Sequence, residues 1–208
     1  PGGYEVLQVR NIPIPEPSDD QVRIKIAYCS LNPMDIFARE GKVKWLPINW
    51  PFIPGIEHSG VIDKVGRNLD KKLLGVRVHS RNIFGGNAEF SLINKQDIKF
   101  FPNNLDWKIG TTYGGMTYTA FHALEVVPKI TKESVCIFHS AAGPIGIMLT
   151  QIAKERNAKV IGLCSREKFD YAKKFGADHL IDYNKDGWEK KIYRITNNNG
   201  VDLIIDGN

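Results

Sequence analysis

The sequence predicts an α/β protein in two parts, a barrel-like antiparallel sheet followed by a doubly wound parallel sheet. Three observations support this. Before about residue 110, short strand-like runs alternate apolar and polar residues, as Val22, Ile24 and Ile26 do in "QVRIKIAYCS". Prolines cluster between positions 13 and 54, which suits the irregular connections of a barrel. Further along, strand-like and helix-like runs alternate, which is typical of a parallel sheet with right-handed crossovers.

The individual elements follow from these patterns. The N-terminal strands are "QVRIKIAYCS", "SGVIDKVG", "LLGVRVHS" and "NAEFSLI", and a short helix is predicted at "NPMDIFAREG". The C-terminal strands are predicted at 134–139, 159–164, 179–183 and 201–206, with helices over Pro144–Arg156, Glu167–Phe175 and Trp188–Thr196. We place the domain boundary between residues 112 and 113. The complete dinucleotide-binding fold has six parallel strands, so we expect residues 113–208 to contain its first four. We also expect residues 1–112 to lack their first strand, as in a fragment.

Composition narrows the functional class. The 208 residues are 42% hydrophobic and 25% charged, and the formal charge is +5. The basic residues are interleaved with 23 acidic ones, which favours a solvated surface over a nucleic-acid interface and suits an anionic ligand such as a nucleotide. The three cysteines lie in apolar runs without CxxC spacing, which predicts buried free thiols and a cytoplasmic protein. No apolar run is long enough to cross a membrane.

The stretch "HSAAGPIG" between a predicted strand and helix resembles a dinucleotide-binding turn. Ala141, Gly143 and Gly146 occupy the positions of the G-x-G-x-x-G/A fingerprint. Gly143 allows close approach of a pyrophosphate, and Gly146 allows the helix to pack against the strand. Pro144 fits the first helical turn, where its missing N–H costs little. The predicted pyrophosphate-binding residues are Ala142, Gly143, Pro144, Ile145 and Gly146. The alternative is a strand–helix turn that binds nothing.

The end of the second parallel strand distinguishes the two nicotinamide cofactors. An NAD site places a carboxylate there to bind the ribose 2′-OH, whereas this sequence has "SREK". Ser165, Arg166 and Lys168 offer a hydroxyl and two cations, which suit a 2′-phosphate and predict NADP(H). We expect Glu167 to point in another direction if the helix begins there. The alternative is an ordinary solvated helix start.

Nine stretches, taken together, resemble one family. They are "GGYEVLQV", "LNPMDIFAREG", "PFIPGIEHSGVIDKVG", "GVRV", "GGNAEF", "MTYTAFHAL", "HSAAGPIG", "GADHLIDY" and "GVDLIID". The chain resembles the zinc-free branch of the medium-chain dehydrogenase/reductase superfamily, specifically the quinone oxidoreductase (zeta-crystallin-like) family. The resemblance implies a GroES-like β-barrel catalytic domain, then a Rossmann domain, with the active site in the cleft between them. It also implies NADPH-dependent reduction of quinones, and a homodimer for the full-length protein.

The resemblance also assigns residues. Asn32 matches the asparagine that faces the nicotinamide, and it is the predicted catalytic residue; it could hydrogen-bond a ribose hydroxyl or a developing oxyanion. Thr119 matches the threonine near the cofactor phosphates. Ser165, Lys168 and Tyr183 match positions around the 2′-phosphate. The alternative for Asn32 is a turn residue before proline. Tyr28 and Tyr113 are candidate proton donors or pocket residues, although we favour a buried aromatic role for both.

No metal is predicted. The zinc-dependent branch has a catalytic Cys where this chain has Asn32, and a G-H-E motif where this chain has "GIEH", ending at His58. A catalytic zinc usually needs three protein ligands, so we expect His58 to be structural. Without a Lewis acid, the favoured acceptors are quinones or C=C bonds already activated by a carbonyl.

Two alternatives to a quinone reductase remain open. One is an enone or enoyl-thioester reductase, which would need a tyrosine proton donor. The other is an NADPH-binding structural or nucleic-acid-binding protein without turnover. The stretch "GKVKWLPINW" would support this second alternative, because it brings together the basic and aromatic residues Lys42, Lys44, Trp45 and Trp50. Such a loop more often lines or covers a substrate cleft.

Overall fold

The computed structural model describes residues 1–81, 84–100, 102–126 and 129–207. The chain divides into two compact units, Pro1–Gly115 and Met116–Asn208. Each unit has its own apolar core. The side chain of Tyr113, one of the candidate proton donors, lies outside the described part. None of the helices in the described ranges is long and apolar enough to cross a membrane.

The first unit is built on a five-stranded antiparallel sheet. Its strands are β1 (Gln21–Cys29), β2 (Glu57–Val65), β3 (Arg77–Arg81), β4 (Phe90–Asn94) and β5 (Lys99–Phe100). Their order across the sheet is β4-β1-β2-β3-β5. Its helices are α1 (Pro33–Arg39) and α2 (Trp107–Thr112), and a π-helical turn follows at Tyr113–Thr117. The four predicted strands and helix α1 are confirmed, whereas β5 and α2 were not predicted.

The sheet of the first unit is strongly curled. β4 and β5 lie at opposite edges of the strand order, yet only a 3-10 turn, Lys95–Asp97, and its flanking residues join them. In a flat sheet the two edges would be about 19 Å apart, whereas this connection reaches about 13 Å. The edges therefore approach each other, which confirms the barrel-like prediction. The enclosed core consists of Val22, Ile24, Ile62, Leu69, Val78, Ile93 and Ile98.

A β-bulge in β1 changes the environment of Tyr28. Ile26 pairs with Gly60 and Tyr28 pairs with Ser59, so β1 contains one extra residue at this point. Strict alternation after Ile24 and Ile26 would direct Tyr28 inward, but a bulge re-aims the side chains that follow it. Tyr28 is 42% exposed. The buried aromatic role predicted for Tyr28 is therefore wrong.

The second unit is built on a four-stranded parallel sheet. Its strands are β6 (Val135–Phe138), β7 (Lys159–Leu163), β8 (His179–Ile181) and β9 (Leu203–Ile205), in the order β8-β7-β6-β9. Its helices are α3 (Tyr118–Glu125), α4 (Pro144–Glu155), α5 (Phe169–Lys173) and α6 (Trp188–Ile195). All four strands are confirmed. The helix predicted over Glu167–Phe175 begins instead as a 3-10 turn, Arg166–Lys168, before α5.

Helices cover both faces of this sheet, because successive strand residues point to opposite sides. On one face, Cys136 and Phe138 pack with Leu149 of α4. On the other face, Ile137 and Ile161 pack in a second cluster that includes residues of α6. The sheet order matches the first four strands of the doubly wound dinucleotide-binding fold. The predicted doubly wound architecture is confirmed.

The three cysteines are free thiols, as predicted. Cys136 and Cys164 are buried, and Cys29 is half-buried. Burial raises the pKa of Cys29 and of Cys136 to about 11. These two thiols are therefore protonated at neutral pH, and a protonated thiol is a poor nucleophile and a poor metal ligand.

Candidate active site

Most of the predicted cofactor residues follow the ends of β6, β7 and β8. These strands are parallel neighbours, so their carboxyl ends meet at one edge of the sheet. The Ala141 N–H donates to the Leu163 carbonyl at 3.0 Å, and the Cys164 N–H donates to the Ile181 carbonyl at 3.2 Å. Ligands of open α/β sheets bind outside this carboxyl edge. The segments that follow the three strands, 139–146, 164–168 and 182–184, therefore share one candidate site.

The turn after β6 presents a helix N-terminus. Gly143 is the residue that caps α4, and its backbone is extended (φ −81°, ψ 164°), as expected before a proline. Pro144 is the first residue of α4. The N–H groups of Ile145 and Gly146 belong to the first helical turn and have no acceptor within the helix. Together with the helix dipole, they can bind an anionic group.

Gly146 is required by close packing of α4 on the turn. A Cβ atom at Gly146 would lie 2.4 Å from the Ser140 carbonyl oxygen and 2.7 Å from the Ala141 Cα atom. At Gly143, a Cβ would lie 3.0 Å from the same oxygen. Gly146 thus allows α4 to pack closely on the turn after β6, because a side chain at position 146 would collide with backbone atoms.

Gly162 makes room for Ala141, the residue that replaces the first fingerprint glycine. A Cβ atom at Gly162 in β7 would lie 2.7 Å from the Ala141 Cβ. The methyl group of Ala141 therefore occupies the space that a side chain on β7 would need. Gly162 was not among the residues predicted for the site, although an isolated glycine inside a strand often marks close approach of another segment.

The segment after β7 differs from the prediction in one respect. Ser165 is only 8% exposed, and its hydroxyl donates a hydrogen bond to Glu167 Oε1. This hydrogen bond is the main cause that lowers the pKa of Glu167. The expectation that Glu167 points elsewhere is therefore wrong. The reason is the 3-10 turn, which brings Glu167 back onto Ser165, the residue that caps the turn.

The two predicted cations of this segment are accessible. Arg166 and Lys168 are both exposed. The Arg166 guanidinium lies over the ring of Phe169, 4.8 Å from the ring centroid. Stacking of this kind orients a guanidinium while leaving its edge available to an anion. The segment therefore has the chemistry to bind a phosphate group.

Tyr183 and Thr119 have different positions relative to this edge. Tyr183 is the second residue after β8 and is 42% exposed. Thr119 is exposed on α3, and the neighbouring Ala120 packs in the core that α3 shares with α4. The topology thus brings 142–146, 165–168 and Tyr183 to one edge, while Thr119 is on a separate helix of the same unit.

In the first unit, the predicted catalytic residue Asn32 belongs to a buried polar network. Asn32 and Glu57 are 5% and 2% exposed. The Asn32 amide nitrogen donates to Ser30 Oγ at 2.8 Å and to Glu57 Oε2 at 3.2 Å. Ser30 Oγ donates to Glu57 Oε2 at 2.8 Å. The Asn32 backbone N–H donates to Asp35 Oδ2 at 3.0 Å, where α1 begins.

The hydrogen bonds of this network determine which ligand groups the Asn32 side chain can bind. The side-chain NH2 group has two hydrogens, and both are donated, one to Ser30 and one to Glu57. The carbonyl oxygen Oδ1 is then the part of the side chain with capacity for a ligand. Since Oδ1 can only accept, Asn32 in this arrangement can bind a hydroxyl donor, such as a ribose hydroxyl.

Two adjacent glycines place the π-helical turn against this network. A Cβ atom at Gly115 would lie 1.4 Å from Glu57 Oε1, and one at Gly114 would lie 2.6 Å from the ring of His79. The turn therefore packs its backbone directly onto two buried ionisable side chains. Glu57 and both glycines were not predicted to have a role at this site. The available signal was a glycine pair in a segment of otherwise helical character, and π-helical turns often occur at functional sites.

His58 lies beside Glu57 in β2, so their side chains point to opposite faces of the strand. His58 is fully buried, and its Nε2 atom lies 2.6 Å from Ser91 Oγ. Burial, with a contribution from nearby His79, lowers the pKa of His58 to about 4. The ring is therefore neutral at neutral pH and packs as a core residue.

The residues at this place do not fit a catalytic zinc. The nitrogen of Asn32 is a hydrogen-bond donor, and the Glu57 carboxylate already accepts two hydrogen bonds on one oxygen. His58 points to the other face. Across the part of the chain that the structure describes, no three His, Cys, Asp or Glu side chains are grouped so as to hold a metal ion.

The low pKa of His58 predicts a loss of stability in mild acid. In the unfolded chain His58 has a pKa near 6.5, and in the folded protein about 4. Between these values the unfolded state binds the proton and the folded state does not, so stability falls as pH decreases from 6.5 to 4. Protonation of His58 over this range should lower the free energy of unfolding by about 3 kcal/mol.

Urea unfolding from pH 7 to 4.5 measures this loss of stability. His58→Gln should flatten the dependence, and an unchanged slope would contradict the assignment.

Internal contacts involve two side chains of the basic and aromatic loop of residues 41–50. Lys42 forms an ion pair with Glu40 at 2.6 Å. Trp50 packs edge-on against Phe52, with 5.0 Å between ring centroids. Trp45 is 74% exposed. Lys44 is exposed as well, and Trp50 remains 45% exposed despite its contact with Phe52.

Comparison with known proteins agrees with this architecture. Residues 18–132 match the alcohol dehydrogenase GroES-like domain, and residues 144–207 match the family described as zinc-binding dehydrogenase. Quinone oxidoreductase of Homo sapiens is 32% identical over 208 residues, which cover 99% of this chain and 63% of that protein. The chloroplastic NADPH-dependent alkenal/one oxidoreductase of Arabidopsis thaliana is 31% identical over 200 residues, 90% of this chain and 52% of that protein.

Solved structures of quinone oxidoreductases are also similar to this chain. The Escherichia coli quinone oxidoreductase complexed with NADPH superimposes with a TM-score of 0.87 at 25% identity, over 99% of this chain and 63% of that one. The chain thus spans less than two thirds of the length of these relatives. The GroES-like domain match alone covers more than half of the chain. Through its alcohol dehydrogenase GroES-like domain the chain therefore belongs to the medium-chain dehydrogenase/reductase superfamily, and it is similar to the quinone oxidoreductases of that superfamily.

Proposed function

We propose that the protein is an NADPH-dependent oxidoreductase that reduces quinones without a metal. The observation that supports this most directly is the carboxyl edge of the parallel sheet. There the N-terminus of α4 and the exposed cations Arg166 and Lys168 follow neighbouring strands. Relatives named quinone oxidoreductase, one of them solved with NADPH, support the same cofactor and acceptor.

Each part of the edge has a binding role in this proposal. The Ile145 and Gly146 N–H groups bind the pyrophosphate, with Ala142, Gly143 and Pro144 forming the turn around it. Ser165, Arg166 and Lys168 bind the 2′-phosphate by charge-assisted hydrogen bonds. Tyr183 borders the 2′-phosphate, and Thr119 contributes from α3 on the phosphate side.

NADPH, when bound, supplies a hydride; with one proton from solvent or an acid, a quinone becomes a hydroquinone. The role of the protein is to position and desolvate the reactants. In the first unit, Asn32 Oδ1 accepts a hydrogen bond from a ribose or substrate hydroxyl. Since the residues around Asn32 do not fit zinc, the acceptor must be reactive without a Lewis acid. Quinones meet this requirement.

The test is NADPH oxidation by the purified protein against quinones, enones and enoyl thioesters, with metal analysis of the same sample. We expect turnover with quinones, no stoichiometric zinc and no effect of chelators. Turnover that depends on added zinc would contradict the metal-free proposal. Saturable NADPH binding without turnover on any acceptor would favour the non-catalytic alternative.

A second candidate, an enone reductase, is supported by the Arabidopsis thaliana relative named for alkenal and alkenone substrates. The same acceptor panel separates the two, because an enone reductase would prefer the enones. The proposal also includes a homodimer, from the family resemblance, and a cytoplasmic location, because three free thiols suit a reducing compartment.

Removing both cations after β7 should change cofactor preference. In Arg166→Ala/Lys168→Ala we expect NADPH to bind about 100-fold more weakly, because two charge-assisted contacts to the 2′-phosphate are lost. NADH, which lacks this phosphate, should lose less than about threefold. Fluorescence titration of both nucleotides measures the difference. Lys190→Ala/Lys191→Ala on the exposed side of α6 is the matched control, and equal losses for NADPH and NADH would contradict the NADP assignment.

A further inference from the structure

We propose that Glu167 is a specificity-determining residue for the cofactor, because it competes with the 2′-phosphate of NADPH for the Ser165 hydroxyl. The inference rests on the proposed function, which assigns Ser165 to the 2′-phosphate site. It adds a residue that weakens the preference for NADPH over NADH, in contrast to Arg166 and Lys168, which strengthen it.

The competition follows from the number of protons. Ser165 is buried to 8% exposure at the start of the 3-10 turn, and its hydroxyl has one hydrogen. That hydrogen is donated to Glu167 Oε1. A phosphate oxygen accepts hydrogen bonds and cannot donate one in its dianionic form. Ser165 can therefore donate to a bound 2′-phosphate only after its bond to Glu167 is broken.

The negative charge of Glu167 also weakens binding of the 2′-phosphate. The hydrogen bond from Ser165 lowers the pKa of Glu167 below its ordinary value, so the carboxylate is ionised at neutral pH. It lies between Arg166 and Lys168 in the sequence and reduces the positive charge of this segment from two to one. A carboxylate close to a bound phosphate also repels it. Each of these effects weakens NADPH binding relative to a neutral residue at position 167.

NADH places a hydroxyl where NADPH has the phosphate. A ribose 2′-OH can donate to a carboxylate, which is how acidic residues after the second parallel strand bind NAD. Glu167 can then keep one oxygen on Ser165 and accept from the 2′-OH with the other. The same carboxylate that opposes NADPH thus supports NADH.

The experiment is a nucleotide titration of purified wild type and Glu167→Gln, with the dissociation constants of NADPH and NADH measured by fluorescence. Glutamine keeps the size of the side chain and removes its charge. We expect NADPH to bind about tenfold more tightly to Glu167→Gln, and NADH to bind equally or more weakly. Glu189→Gln, an exposed charge removal on α6, is the control and should change neither constant.

A second pair of variants tests whether Glu167 and the 2′-phosphate compete for the Ser165 hydroxyl. In a Ser165→Ala background no hydroxyl remains to compete for, so Glu167→Ala, which removes the acceptor together with the charge, should improve NADPH binding clearly less than it does in wild type. An equal improvement in both backgrounds would overturn the competition. If wild type binds NADPH and Glu167→Gln leaves the NADPH-to-NADH ratio unchanged, the inference fails while the proposed function stands. If wild type binds neither nucleotide, the proposed function itself fails.

Discussion

Gly115→Ala will destabilise the first unit by about 3 kcal/mol. The added methyl group would lie 1.4 Å from Glu57 Oε1, far inside van der Waals contact. Glu57 is 2% exposed, so its carboxylate would have to shift within the protein interior. Such a shift disturbs the hydrogen bonds from Ser30 and Asn32 that compensate for the burial of the carboxylate. Urea unfolding followed by tryptophan fluorescence measures the loss.

A double-mutant cycle isolates the cause. In the Glu57→Ala background the carboxylate is absent, so Gly115→Ala should cost less than about 1 kcal/mol, since alanine is the better helix former. Glu57→Ala alone should also destabilise the protein, because it leaves buried donors on Ser30 and Asn32 without their acceptor. An equal cost of Gly115→Ala in both backgrounds would show that contact with Glu57 is not the reason.

Gly146→Ala should strongly weaken NADPH binding while also lowering stability. The new methyl group would meet the Ser140 carbonyl oxygen at 2.4 Å and the Ala141 Cα atom at 2.7 Å. Both are backbone atoms, so the collision is relieved only by moving α4 away from the turn. We expect a stability loss of about 2 kcal/mol. We also expect at least about 30-fold weaker NADPH binding, because the N–H groups that bind the pyrophosphate are displaced.

Gly207→Ala is the matched control for this variant. Gly207 also lies in the second unit, and nothing is within 4 Å of a Cβ atom built there. It should leave both the unfolding midpoint and the NADPH titration unchanged. If Gly146→Ala behaves like Gly207→Ala in the titration, the N-terminus of α4 is not the pyrophosphate site.

The elements predicted correctly are those with a clear local period. β1 and α4 have apolar residues at strand and helix spacing, and Pro144 and Gly143 mark where α4 begins. The helical residues 107–125 were missed because their composition opposes helix formation. Gly110, Gly114 and Gly115 lie in this range with several threonines, and these residues have low helix propensity. Packing against the sheet of the first unit overrides that propensity for α2.

Within the candidate site, the features that were not predicted depend on structure beyond the local sequence pattern. The turn after β6 is encoded by adjacent residues, so its form could be inferred. The direction of Glu167 depends on whether the next turn is 3-10 or α-helical, and the exposure of Tyr28 depends on a single bulged residue. The bonds from Ser30 and Asn32 to Glu57 join residues 27 and 25 positions apart. No local pattern specifies such a network.

The contact between Ala141 and Gly162 has an evolutionary consequence. An alanine at position 162 would bring its methyl group 2.7 Å from the Ala141 Cβ and 2.9 Å from the Leu180 Cδ2 atom. Glycine at 141 would remove the first contact, and the end of the Leu180 side chain would have to move to relieve the second. Mutations at 141 and 162 are therefore not independent, so the order in which they arise matters. Position 141 of the fingerprint is thus coupled to a buried residue in the neighbouring strand.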